Sequence, residues 1–110
     1  MSEHARRIGL NEAVFRSVNE EIEALSERFG LTSRMLDLVC ECGDAACADR
    51  IQLPHEEYRE LRSDPRTFAV VPGHIYPEVE RVVAQKKGYD VLMKQSGEPA
   101  AIAEETDARS

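Results

Sequence analysis

The chain has 110 residues, 32% of them charged, and a formal net charge of −7. One domain fits this length, and a chain so short buries only about two-thirds of its unfolded surface, so its margin of stability is thin. With three Phe, three Tyr and no Trp to build a core, a metal cross-link would be a natural supplement. The acidic balance makes nucleic acid an unlikely partner and disfavours an anionic membrane surface, because both are held by clustered Lys and Arg.

The opening SEHARRIGLNE is polar and charged, unlike a secretory h-region, and no apolar run approaches the roughly 20 residues that span a bilayer. All three cysteines fall within eight positions, Cys40 to Cys47. An odd, clustered set is a poor disulfide framework and a good chelate, which points to a reducing, cytoplasmic setting.

In chain order, Ile8, Phe15, Val18, Ile22, Leu25 and Phe29 recur at 7-3-4-3-4 spacing, the apolar stripe of an amphipathic helix over 8–29. Asn11 lies on the same stripe or acts as its N-cap, with Glu12 in the first turn. Gly30 is placed to end the helix. The opposite face carries Glu12, Glu20, Glu23 and Glu27. The stripe either packs on the domain's own sheet or docks a partner. Three heptads are barely enough for a coiled coil, so periodicity does not decide, and a homodimer stays open.

Residues 35–42 read as a strand running into a cysteine loop, and Arg50 to Leu53 as a short return strand. Pro54 opens a helix through Leu61 and Arg62, as Pro does at a first turn. Thr67 to Val71 is another strand, ended by Pro72-Gly73-His74. Val79–Ala84 and Tyr89–Lys94 flank Lys86-Lys87-Gly88 as a hairpin. A helix over 77–86 competes, since Val79, Val82 and Val83 also fit helical spacing. The acidic stretch 96–110, with Glu98, Glu104, Glu105 and Asp107 against Arg109, reads as a frayed or short helical tail.

The chemistry sits in C-E-C-G-D-A-A-C, that is C-x-C-x₄-C. Three thiolates around a turn with Gly43, Ala45 and Ala46 suit one tetrahedral ion, and a fourth donor must come from elsewhere. His74, at a strand end in a Pro-Gly-His corner, is the best completion of Cys40, Cys42 and Cys47. His55, expected to be exposed on a polar helix, and His4, near the N-terminus, are weaker choices; Asp44, Asp49 or water are the remaining ones. Zinc in a structural role is preferred over an iron–sulfur cluster, because one tight hairpin resembles a knuckle more than a cluster cradle. No H-E-x-x-H, P-loop or G-x-S-x-G accompanies it, nor the H-x-E helix of zinc deaminases. The carboxylate pairs Glu20-Glu21 and Glu56-Glu57 read as solvated surface.

The order C-x-C-G-D-x-x-C, then E-E-Y, then V-V-P-G-H over residues 5–95 resembles a family of short, largely uncharacterised bacterial proteins of actinobacterial type. The resemblance implies a bacterial, cytoplasmic setting and no activity. The sequence thus predicts an α+β fold, a long N-terminal helix on a small, mostly antiparallel sheet with a zinc knuckle. Its function reads as a non-enzymatic adaptor or regulator binding another protein, with helix 8–29 as the contact. A redox- or metal-responsive switch and a zinc enzyme with an open coordination position are the alternatives.

Overall fold

The computed structural model describes residues 3–31, 34–95 and 98–107. Helix α1 (Glu3–Arg28) is followed by strands β1 (Met35–Val39) and β2 (Arg50–Pro54), helix α2 (His55–Leu61), strands β3 (Thr67–Val70), β4 (Glu80–Lys86) and β5 (Tyr89–Lys94), and helix α3 (Glu98–Glu105). The fold is α+β. β1 and β2 form one antiparallel sheet, and β3-β5-β4 a second, also antiparallel. Alternation sets the first hairpin: Leu36 and Leu38 face inward opposite Leu53 and Ile51, while Met35, Asp37 and Gln52 face out. These leucines join Tyr58, Leu61, Ala69 and Tyr89 in the main core.

Residues 80–86 are strand, and 77–79 a turn, rather than helix. Lys86 pairs Tyr89 across the two-residue turn Lys87-Gly88, where Gly88 takes φ 89°, a conformation open to glycine at no steric cost. The β-branched Val82 and Val83 suit the strand as well. Gly30, at φ 70°, ends α1: Leu31 N–H reaches Ser26 O at 2.8 Å and Gly30 N–H reaches Glu27 O at 3.1 Å, the paired bonds of a Schellman cap.

The face α1 buries differs from the predicted one. Its buried residues are Ala5, Ile8, Gly9, Glu12, Ala13, Arg16, Asn19 and Glu23. Of the predicted stripe only Ile8 is buried; Phe15 and Ile22 are half-buried, and Val18, Leu25 and Phe29 are exposed. Each inward polar group has a distant partner that local periodicity does not register. Arg16 Nη2 donates to Ala103 O at 2.8 Å and Thr106 Oγ1 at 3.0 Å, with its guanidinium 4.8 Å from the Phe68 ring centre. Asn19 Nδ2 donates to Val39 O and its Oδ1 accepts from Val39 N. Asn11 is no cap, since α1 begins eight residues before it at Glu3; its amide binds Gly43 O at 2.8 Å instead.

Of the two readings of the tail, the short helix holds, and it is packed rather than frayed. Among its described residues α3 is regular, Ala100 and Ala103 are buried, and Asp107 accepts from Arg62 Nη2 at 3.0 Å. Small side chains let α3 lie close on α1, where a Cβ on Gly9 would meet Ile102 at 3.4 Å. Residues 96, 97 and 108–110, including Arg109 of the predicted tail, lie outside the described residues.

Lys94 Nζ is buried between Glu12 Oε1, 2.6 Å away, and Glu80 Oε2, 3.1 Å away. Burial first, then a hydrogen bond shared with Glu80 and the charge of Glu80, hold the Glu12 carboxyl well above its ordinary 4.5, against the pull of Lys94. A folded-state pKa above the unfolded one contributes stability that is complete below about 4.5 and is lost as pH rises through the raised value. Glu12→Gln should therefore lose less stability than wild type as pH rises from 4.5 toward neutrality. Urea denaturation across that range reads this out, and parallel profiles would show that Glu12 titrates normally.

Candidate metal centre

Strand alternation within Cys40-Glu41-Cys42 sends the two cysteines to one side of the chain and Glu41 to the other. The loop that follows folds through local bonds. Asp44 Oδ1 accepts from Ala46 N at 2.9 Å, Cys47 N–H reaches Asp44 O at 3.0 Å, and Cys40 N–H reaches Asp49 O at 2.9 Å. This returns Cys47 to face Cys40 and Cys42. Gly43 lies under α1, where a Cβ would overlap Ile8 Cγ2 and crowd Tyr76, so no other residue fits there without shifting those side chains.

His74 arrives from the second sheet. Val71-Pro72-Gly73-His74 closes with His74 N–H on Val71 O at 3.0 Å, and Gly73 takes φ 91°. Pro at the second position and left-handed Gly at the third are the signature of a type II turn. The turn sets His74 Nδ1 3.5 Å from Cys40 Sγ and 3.8 Å from Cys47 Sγ. Val71 N–H also donates to Cys40 Sγ at 3.2 Å.

The donor atoms of Cys40, Cys42, Cys47 and His74 all lie within 4.8 Å of one another. A tetrahedral ion with sulfur at about 2.3 Å and nitrogen at about 2.05 Å separates a sulfur and a nitrogen donor by about 3.6 Å. The two sulfur–nitrogen distances fall on either side of that value, so the four residues fit a single ion and could hold one. His74 Nε2 lies 3.6 Å from Asp49 Oδ2, the position of a carboxylate that orients a ligating imidazole.

The thiols are electrostatically unequal. The Cys42 thiol is drawn down to about 5, first by a hydrogen bond from Cys40, then by the Asp44 N–H, His74 and Cys47. Cys40 is pushed up by the same bond and by burial, and Cys47 is pushed up chiefly by burial. A dication bound here would displace the thiol protons that remain.

The other histidines lie elsewhere. His4 is exposed on α1, 3.9 Å from Glu78 and edge-on to Tyr76. His55 is buried, contrary to the expectation of exposure, and faces Glu23 and Glu27 rather than the cysteines. Asp44 serves its own turn.

Sequence reasoning passed over Glu41. Its side chain is buried; Oε1 accepts from Ala69 N at 3.0 Å, and Oε2 from Asn19 Nδ2 and Tyr58 OH, both at 2.8 Å. Burial raises its pKa, opposed by these three donors and by Arg62. Its place inside the C-x-C, where alternation turns it away from the metal side, was the available signal.

No helix among the described residues is long and apolar enough to cross a membrane. No family model matches the chain, and no curated protein or solved structure matches it.

Proposed function

We propose that the protein is a small zinc-stabilised adaptor of the bacterial cytoplasm, in which the ion is structural and the working surface is the outer face of α1. The ion is taken as zinc because three thiolates and an imidazole are its usual structural donor set. Four protein donors complete a tetrahedron, so no position remains for a catalytic water. The adaptor reading rests chiefly on one observation: Val14, Val18 and Phe29, 61%, 42% and 69% exposed, lie with Leu10 and Leu25 on the solvent side of α1. Glu12, Arg16, Asn19 and Glu23 are turned inward, and these five apolar side chains are left for another protein. The net charge of −7 favours a protein over nucleic acid as that partner.

The test is a double variant, Val18→Asp with Phe29→Asp. Both sites are exposed, so metal content and melting temperature should stay at wild-type values. Co-purification of the native partner from the source cell should fall at least tenfold, read by quantitative mass spectrometry. Sedimentation of the isolated protein separates a second copy of this chain from a different partner. Undiminished co-purification with the double variant would remove α1 as the contact.

A further inference from the structure

A second set of donors converges where α1 meets α2. Glu23 and Glu27 are four positions apart on α1, so their carboxylates leave the same face. His55 is the first residue of α2. His55 Nε2 lies 3.8 Å from Glu23 Oε2 and 3.6 Å from Glu27 Oε1, and the three donor atoms lie within 4.8 Å of one another. The His55 and Glu23 side chains are 2% and 4% exposed, while Glu27 is 45% exposed and opens the cluster to solvent.

The imidazole carries the argument. His55 Nε2 is buried and has no hydrogen-bond partner among the described residues, although two carboxylates face it. Native structures seldom leave a buried polar atom so, because the cost is about 1–3 kcal/mol. A direct hydrogen bond would bring the atoms to about 2.9 Å. A divalent ion between them, with bonds of about 2.1 Å to nitrogen and oxygen, would hold neighbouring donors about 3.4 Å apart at the tetrahedral angle. The observed separations are close to that second value.

We propose that Glu23, Glu27 and His55 form a second divalent-cation site, independent of the cysteine cluster. Two carboxylates and one imidazole, without sulfur, suit zinc, manganese or ferrous iron. Three protein donors leave coordination positions for water on the Glu27 side. Glu27 Oε1 also accepts from Arg59 Nη2 at 2.5 Å, an outer contact of the kind that orients a ligating carboxylate. The Arg59 side chain is itself exposed and can turn aside if the ion needs both lone pairs. The bound ion would tie the C-terminal end of α1 to the start of α2.

The experiment is equilibrium dialysis of the full chain against zinc, with metal counted per chain. Wild type should hold two equivalents, and Glu27→Gln should hold one, with at least a tenfold loss of affinity for the second by calorimetry. His55→Gln should behave likewise; should it fail to fold, Glu27→Gln decides alone because its site is half open to solvent. A single equivalent in wild type that Glu27→Gln retains, or two in Glu27→Gln, overturns the proposal. Cobalt substitution keeps the two sites apart, since only the cysteine cluster gives thiolate charge transfer. Absence of that band alongside a Glu27-dependent equivalent would sink the reading of the cysteine site and leave this one standing.

Discussion

A strong chelator is expected to collapse the melting temperature of this protein, by ten degrees or more, or to leave no cooperative transition at all. Structural zinc contributes on the order of 10 kcal/mol to the folding of small domains, whereas a whole domain of this size is stable by only about 5–15 kcal/mol. Cys40 and Cys42 come from the end of the β1 hairpin and His74 from beyond β3, so the ion joins two sheets that share few main-chain bonds, such as Glu41 N–H to Ala69 O at 2.8 Å. Cobalt substitution separates the histidines. His74→Ala should lose most of the thiolate charge-transfer band at limiting metal, while His55→Ala should keep it. Equal bands would mean that His74 is not the fourth donor, and a melting curve indifferent to chelator would end the structural role of the ion.

Replacing Glu41 with alanine is expected to cost roughly 3–5 kcal/mol, as breaking a buried ionic network does. Three donors would lose their acceptor at once: the Ala69 N–H, the Asn19 amide and the Tyr58 hydroxyl. Each unmatched buried donor costs about 1–3 kcal/mol, and Arg62 would lose the nearby negative charge. Glu41→Gln should cost less, because an amide oxygen still accepts. Urea denaturation of metal-loaded protein measures both, and a loss below about 1 kcal/mol for Glu41→Ala would show the network to be energetically idle.

The features legible in the sequence are those with a local cause. Cys40, Cys42 and Cys47 are adjacent enough to declare a chelate, Pro72-Gly73 declares the turn that aims His74, and Leu36/Leu38 against Ile51/Leu53 declare a hairpin by alternation. What escaped is decided at long range. Glu12 meets Lys94 across 82 positions and Arg16 meets Ala103 across 87. Apolar spacing along one helix turns such residues outward, which is why the stripe of Val18, Leu25 and Phe29 is not the buried face. His55 was misjudged for the same reason, since its burial depends on Glu23 and Glu27 from a helix about thirty residues away. The packing of 98–107 depends on Ile102 meeting Gly9, and composition alone reads such a stretch as solvated.

The spacing of the cysteine cluster also orders events during synthesis. Cys40, Cys42 and Cys47 leave the ribosome together, whereas His74 follows Cys40 by 34 positions. A growing chain therefore carries a three-thiolate claw before its fourth arm exists. An ion caught at that stage would brace the first hairpin while β3 to β5 were still unmade. The arrival of His74 would then exchange a solvent ligand for a protein one, making coordination the step at which the later half of the chain is registered against the earlier.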